Sequence, residues 1–198
     1  MNETLSHIID HPEIDEGDLK LVKSILPGVR DFLDIGFGTG AFLIKLKRSG
    51  LRGVGIDINP RAVNEGKKRG LKVWKRDGQR SGFKNEYFDV VRAKDVLEHL
   101  DKPQRLVAEV RRILKKRGLF VIHVPTQFST VYPITNFWDD YTHIRPFTRR
   151  AIRQLLTDND FKIILIEGYT IGRNTLEKII VSLLGKVFPF GWRVVAQK

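Results

Sequence analysis

The feature that most constrains the fold is a glycine-rich turn that joins an apolar segment to a helix-like one. Asp31 to Ile35 has the pattern of a short buried strand, and a helix is predicted from Ala41 to Ser49. Three glycines lie between them: Gly36, Gly38 and Gly40. Glycine allows a sharp backbone turn and lets a ligand approach the main chain closely. The order strand, glycine turn, helix therefore predicts a ligand-binding unit of a doubly wound α/β sheet.

Strand-like and helix-like segments alternate along the chain, which predicts a parallel sheet with helices on both faces. Further strands are expected at residues 53–58, 71–74, 87–92, 119–124, 161–167 and 192–196, and a first helix from Asp18 to Leu26. Asn59 before Pro60 predicts one helix start, and Thr148 predicts another. Asp101 has capping-box spacing to Gln104, for a helix expected to end at Gly118. The length of 198 residues fits a single domain over residues 1–198.

Three segments stand outside this alternation. Residues 1–30 are expected to form an N-terminal helical cap. Residues 126–147 are irregular and rich in aromatic side chains, which is typical of a functional loop. Residues 174–188 have the pattern of an inserted amphipathic helix. Its apolar stripe is expected to pack on the domain, with a homodimer contact or a lid as the alternatives.

Composition excludes several classes of protein. There is no cysteine, so disulfides, thiolate metal sites and a cysteine nucleophile are excluded. No run reaches the roughly 18 apolar residues of a membrane span, and the acidic N-terminus is not a signal peptide, so a cytoplasmic protein is expected. The net charge of +12 suggests either a nucleic-acid partner or a solvated basic surface. The charges are spread along the chain, and the densest basic stretch, residues 67–80, is not interleaved with a row of aromatic residues, which favours the solvated surface.

The residues around the glycine turn indicate the ligand. Asp57 lies at the end of the second strand, where a doubly wound sheet presents a carboxylate to the hydroxyls of a ribose. The glycine spacing is G-x-G-x-G rather than the G-x-G-x-x-G of pyrophosphate sites, and Asp34 lies two residues before Gly36. A carboxylate repels a pyrophosphate but attracts a ligand with an ammonium and a sulfonium group. The pattern therefore favours S-adenosylmethionine over NAD.

Six stretches, taken together and in order, resemble the class I S-adenosylmethionine-dependent methyltransferases. They are Leu33–Gly40, Gly55–Ile58, Arg76–Gly78, Phe88–Val91, Val96–Leu100 and Leu114–Gly118. The resemblance spans Asp31 to Lys198. It implies a Rossmann-like, mostly parallel sheet of seven strands, in which the antiparallel last strand lies between the fifth and the sixth.

The resemblance also assigns roles to matched positions. Asp34 would orient the amino group of the cofactor, and Lys94 would meet its methionine end through the backbone. Asp57 would bind the ribose diol, with Ile58 against the adenine. The remaining cofactor contacts would be Gly36, Phe37, Gly38 and Gly40 beneath the methionine part, and Asp77 and Gly78 at the adenine. S-adenosylhomocysteine would be the product.

The acceptor side is less specific. Methyl transfer is an in-line displacement in which the protein mainly aligns the reactants, and a hydroxyl acceptor also needs a base. His143 and His99 are the candidate bases, with a packing role as the alternative for His99. Residues 137–148 resemble a segment of methyltransferases that act on glycans or small metabolites. The expected acceptor contacts are therefore Trp138, Tyr141 and Arg145.

The leading hypothesis is methyl transfer to a small-molecule or glycan acceptor at oxygen. The alternatives are an RNA methyltransferase, a non-catalytic methyltransferase-like binding domain and, more remotely, an NAD oxidoreductase. Asp139, Asp140 and His143 are three potential cation ligands, but their placement on one loop is not sufficient to predict a site. No metal is expected.

Overall fold

Seven strands form one sheet in the computed structural model, which describes residues 12–131, 136–170 and 188–198. The strands are β1 (Asp31–Ile35), β2 (Arg52–Asp57), β3 (Val73–Lys75), β4 (Phe88–Lys94), β5 (Leu114–Pro125), β6 (Lys162–Tyr169) and β7 (Gly191–Gln197). Their order in the sheet is β3-β2-β1-β4-β5-β7-β6. β7 is antiparallel to both of its neighbours, and the other pairs are parallel. The expected sheet, including the position of its last strand, is confirmed.

In the described parts of the chain, five α-helices cover the two faces of the sheet. They are α1 (Pro12–Ile25), α2 (Ala41–Arg48), α3 (Pro60–Lys68), α4 (Pro103–Ile113) and α5 (Arg149–Thr157). The apolar sides of α1, α2 and α3 pack in one core cluster with Phe32 and Val90 of the sheet. Those of α4 and α5 pack in a second cluster with Leu33 and Val91. Successive strand residues thus point to opposite faces, and both faces are buried.

Helix starts set by local chemistry agree best with the sequence. The side chain of Asn59 accepts a hydrogen bond from the backbone N–H of Arg61 at 2.9 Å. Thr148 does the same for Ala151 at 3.0 Å. α1, by contrast, begins at Pro12 rather than at Asp18. Its first turns hold carboxylates that bond to distant strands, and helical periodicity does not reveal such partners.

The limits predicted for α4 are wrong at both ends. The helix begins at Pro103 and its N-cap is Lys102, so Asp101 does not cap it. Proline fits the first helical position and keeps the preceding residue out of helical geometry. The helix ends at Ile113 rather than at Gly118, because Leu114 already pairs with Phe88 of β4.

The irregular segment after β5 is held at both of its ends. Thr126 forms a bridge with Phe147, and two short 3₁₀ turns lie between them, at Gln127–Val131 and Phe137–Asp139. The predicted amphipathic helix at 174–188, and with it the homodimer contact, lies outside the described residues except at position 188. Among the residues with described positions, no helix is long and apolar enough to cross a membrane.

Candidate functional site

The glycine turn follows β1 at the carboxyl edge of the sheet. Gly36, Gly38 and Gly40 all have positive φ, at 68°, 52° and 80°. A Cβ on Gly36 would lie 2.6 Å from Cγ2 of Val96. Only glycine fits this backbone without strain, and the turn packs directly on the segment that follows β4. The ring of Phe37 is buried in the core, so a ligand at this edge would meet its backbone.

Asp57 joins the glycine turn to the start of α3. Its Oδ2 accepts a hydrogen bond from the N–H of Gly38 at 3.2 Å, and its Oδ1 accepts one from Asn59 at 2.8 Å. Burial raises the pKa of Asp57, while these N–H donors oppose that rise. The carboxylate is therefore fixed at the carboxyl edge, where a ribose diol would approach it.

The residues predicted for the adenine lie beside Asp57. Ile58 is 71% exposed, which is unusual for a large apolar side chain next to a turn. Asp77 accepts a hydrogen bond from the N–H of Gln79 at 2.8 Å. A Cβ on Gly78 would lie 2.7 Å from Cγ2 of Ile35, so a side chain has no room there. An open cleft of about 680 Å³ begins here, lined by Asp77, Gln79, Arg80, Arg105, Ala108, Glu109 and Arg112.

Asp34 is part of a buried ionic group that we call the Arg92 cluster: Arg92, Asp15, Asp18, Asp34 and His123. Each guanidinium nitrogen of Arg92 has its own carboxylate partner. Nη2 lies 2.5 Å from Asp15, Nε lies 2.9 Å from Asp18, and Nη1 lies 3.3 Å from Asp34. His123 Nε2 lies 2.9 Å from both oxygens of Asp18. The cluster fixes the first half of α1 against β4 and β5.

The carboxylates of this cluster titrate differently. Burial raises the pKa of Asp18, but the charges of His123 and Arg92 outweigh it and bring that pKa well below its usual range. Burial outweighs Arg92 at Asp34 and raises its pKa to about 6, although the charge of Lys94 also opposes the rise. The side chain of Asp34 is therefore engaged with Arg92 beneath the turn. The sequence signal for this cluster, an arginine inside an otherwise apolar strand, was not used in the prediction.

Glu98, His99 and His143 form a second group, which we call the histidine cluster. Glu98 and His99 lie in the 3₁₀ turn Leu97–His99 that follows β4, and His143 comes from the segment after β5. The two imidazole rings have centroids 4.6 Å apart. One potential ligand atom from each of the three residues lies within 4.8 Å of the others. The structure thus brings the two predicted histidines together.

Hydrogen bonds fix the tautomer of both histidines. His143 Nδ1 lies 2.6 Å from the carbonyl oxygen of Phe137, so Nδ1 carries the proton and donates it. The hydroxyl of Thr142 donates to Asp140 at 2.6 Å, so its oxygen accepts from His99 Nδ1 at 2.8 Å. In the neutral form of either ring, Nε2 is then the nitrogen that can accept a proton or bind a ligand. Burial, and then the neighbouring His143, lower the pKa of His99.

Glu98 was not predicted as a site residue. Its side chain is only 1% exposed, and no described residue donates a hydrogen bond to its Oε2. Burial raises the pKa of Glu98 well above its usual value, and the charge of Asp95 adds to that effect. Its backbone oxygen accepts the N–H of Ile144 at 2.9 Å, which ties the acceptor-side segment to the turn after β4. The Glu-His pair of the family-like stretch Val96–Leu100 was the signal that could have identified it.

The predicted acceptor residues lie on the same segment as His143. Trp138 is 59% exposed and Tyr141 is 96% exposed. Arg145 donates through Nη2 to the carbonyl oxygen of Asp101 at 3.1 Å. Asp139 caps a turn by accepting the N–H of Asn136 at 2.7 Å. Asp139 is therefore engaged in local structure, and the residue gathered with His143 is Glu98.

Comparisons with known proteins agree with this geometry. A family model described as a methyltransferase domain matches residues 13–166. The crystal structure of a SAM-dependent methyltransferase from Archaeoglobus fulgidus superposes with a TM-score of 0.76 at 26% identity, covering 95% of each chain. An uncharacterised protein of Methanocaldococcus jannaschii is 32% identical over 56% of this chain and 52% of its own length. An uncharacterised methyltransferase of Mycobacterium is 33% identical over 48% of this chain and 39% of its own. The chain thus spans about half or less of these curated relatives.

Proposed function

Because this chain belongs to the class I S-adenosylmethionine-dependent methyltransferases, through its methyltransferase domain, we propose that it methylates a hydroxyl oxygen of a small molecule or glycan. The observation that carries the proposal is the pair of imidazoles in the histidine cluster, each with Nδ1 hydrogen-bonded to the chain. Nitrogen and sulfur nucleophiles attack a sulfonium without help, whereas a hydroxyl has to lose its proton. In a neutral ring of this tautomer, Nε2 is suited to that task.

The carboxyl edge fits the cofactor. The glycine turn has positive φ angles and no side chains, so a ligand can approach its backbone closely at this edge. Asp57 supplies a fixed acceptor for the ribose diol, and Ile58 is an exposed apolar surface for the adenine ring. When bound, the cofactor supplies the methyl electrophile. Asp77, Gly78 and the backbone of Lys94 complete the proposed contacts, and Asp34 contributes its negative charge beneath the amino group.

The acceptor side lies next to this edge. Val96, which contacts Gly36, directly precedes the turn that carries Glu98 and His99. An acceptor held over the histidine cluster is therefore close to the methionine end of the cofactor. Trp138 and Tyr141 offer exposed aromatic faces to a sugar or other small ring. In the transfer, the chain's residues orient the acceptor oxygen and remove its proton, which is positioning work.

The cofactor assignment is tested by calorimetry with S-adenosylhomocysteine. Asp57→Ala should lose about 1.5–3 kcal/mol of binding free energy, the range for charge-assisted hydrogen bonds. Asp57→Asn keeps an acceptor oxygen for the turn and should lose less. Glu65→Ala, on the exposed side of α3, serves as the control. Unchanged affinity in Asp57→Ala, or binding of NAD in preference to the adenosyl ligand, would contradict the assignment.

The acceptor class is tested by screening sugars, small hydroxylated metabolites and RNA with labelled S-adenosylmethionine. On the acceptor found, His143→Ala should lower kcat about 10²–10⁴-fold and leave affinity for S-adenosylhomocysteine unchanged. Trp138→Ala should mainly raise the acceptor KM. Methylation of RNA alone, with affinity that persists at physiological salt, would replace the small-acceptor proposal.

A further inference from the structure

The histidine cluster brings together three side chains that can act as ligands of a cation. Glu98 brings a buried carboxylate whose Oε2 has no donor among the described residues. Leaving a buried carboxylate oxygen without a partner is costly in free energy. A carboxylate oxygen of Glu98 and one nitrogen from each of His99 and His143 lie within 4.8 Å of one another. Each of these three atoms can act as a metal ligand.

The surroundings orient the imidazoles as in protein metal sites. A metal-bound histidine typically donates its other ring N–H to a carbonyl, carboxylate or similar acceptor, which fixes the tautomer and the ring. His143 donates through Nδ1 to the carbonyl oxygen of Phe137, and its ring stacks on the Phe137 ring with centroids 4.5 Å apart. His99 donates through Nδ1 to Thr142, which in turn donates to Asp140. Both Nε2 lone pairs remain for a ligand.

The spacing is close to that of a bound site. Zinc lies about 2.0–2.2 Å from nitrogen and oxygen ligands, so two ligands of a tetrahedral ion are about 3.3–3.6 Å apart. The ligand atoms of the cluster lie within 4.8 Å of one another, so they have to approach by at most about 1.5 Å when an ion binds. Both histidines are only partly buried, which leaves coordination positions open to solvent or to an acceptor.

We propose that Glu98, His99 and His143 bind one divalent transition-metal cation, which holds the acceptor hydroxyl beside the methyl donor. Two imidazoles and one carboxylate suit Zn²⁺, Mn²⁺ or Co²⁺ and disfavour Mg²⁺, which prefers all-oxygen ligands. The catalytic part of this proposal rests on the proposed function; the binding site itself does not. With the cation bound, the imidazoles act as its ligands and not as the base: the cation lowers the pKa of the hydroxyl, and the proton passes to solvent. The acceptor oxygen forms its bond to the methyl carbon, and the carbon–sulfur bond breaks with its electron pair on sulfur.

The test uses the full chain, free of any affinity tag and stripped of metal with a chelator. Zn²⁺, Mn²⁺, Co²⁺ and Mg²⁺ are titrated separately without cofactor or acceptor. We expect about one transition-metal ion per chain by mass spectrometry, and a visible Co²⁺ spectrum typical of nitrogen ligation. Glu98→Gln and His143→Gln should each lower the affinity by more than about 100-fold. Thr142→Val, which removes the support of His99, should lower it by about 10–100-fold.

Controls separate this site from other causes. Glu65→Gln should bind metal like the wild type, and the thermal melting of each metal-free variant shows that it folds. Absence of stoichiometric binding, binding unaffected by Glu98→Gln and His143→Gln, or binding of Mg²⁺ alone would overturn the metal site. Methyl transfer that persists in excess chelator would overturn the catalytic role of the cation while leaving the proposed function intact. Metal binding in a chain that methylates no acceptor would keep the site and contradict the proposed function.

Discussion

The Arg92 cluster and the histidine cluster both lie near the carboxyl ends of the central strands. They differ in whether their buried carboxylates have partners within the chain. In the Arg92 cluster each guanidinium nitrogen faces a carboxylate and the group is buried; among the described residues, its unpartnered atom is a ring nitrogen, Nδ1 of His123, and not a carboxylate oxygen. In the histidine cluster a buried carboxylate oxygen has no partner in the described part of the chain, and the imidazoles are partly open. A closed set of charges holds elements together, whereas an open set has capacity for a ligand.

The largest expected loss of stability comes from breaking the ion pairs of the Arg92 cluster. Arg92→Met leaves the carboxylates of Asp15, Asp18 and Asp34 without their shared cation. Removing one partner of a buried ion pair costs about 3–5 kcal/mol of unfolding free energy. For a chain of this size that corresponds to a fall in Tm of about 6–20 °C by calorimetry. Arg52→Met, which breaks the exposed pair with Asp31, should cost at most about 1 kcal/mol, and an equal loss in both variants would contradict the comparison.

The second prediction concerns the pH dependence of stability, which should differ between Asp34 and Asp18 of the Arg92 cluster. The pKa of Asp34 is raised from 3.8 to about 6 in the folded chain, so unfolding releases a proton between these pH values. The stabilising contribution of Asp34 is therefore lost as pH rises from about 4 to 6. This loss lowers the free energy of unfolding by about 3 kcal/mol. Asp34→Asn removes this dependence, so its stability relative to wild type should improve between pH 4 and pH 8.

Asp18 should behave in the opposite way, because its pKa is lowered on folding. Its stabilising contribution is present above the ordinary pKa of an aspartate and is lost as pH falls through the lower, folded value. Asp18→Asn should therefore be destabilising at both pH 4 and pH 8. Chemical denaturation of both variants at the two pH values checks the prediction, and variants that follow the same pH trend would contradict it.

The smallest change in stability is expected for a substitution in the histidine cluster. Glu98→Met replaces a buried carboxylate with an apolar side chain of similar length. Replacing an unsatisfied polar group in this way is neutral or stabilising, by about 1 kcal/mol. We therefore expect the metal-free Tm to stay the same or rise by a few degrees. A fall comparable to that of Arg92→Met would show that the histidine cluster is itself a closed structural unit.

The sequence predicted the features of this fold that depend on local chemistry. Asn59 and Pro60 define a helix start within a few residues, and the glycines after β1 define the turn. The predicted start of α4 was wrong. Asp101 satisfies a capping pattern, but the proline two residues later determines where the helix begins. When two local signals compete, the covalent restriction of proline outweighs a side-chain hydrogen bond.

The clusters were harder to predict because their members are distant in sequence. Arg92 meets Asp15 and Asp18 across more than seventy residues. A charged residue in an apolar strand indicates that a partner of opposite charge exists, but it does not show which residue that partner is. His99 and His143 were both predicted individually, but their proximity and the role of Glu98 depend on how the segment after β5 folds back on β4. The residues predicted to bind the cofactor lie in short local motifs at or just after the ends of successive strands and were therefore easier to predict.

The position of β7 has a consequence for the order in which the molecule assembles during its synthesis. β7 is made after β6 but lies between β5 and β6 in the sheet. Until residues 191–197 leave the ribosome, β5 has an open edge and β6 has no neighbour, and such late, non-local pairing is slow. The strands that carry the glycine turn and Asp57 depend on none of this. We therefore expect the nascent chain to pair β1 to β5 first and the strands beyond β5 last.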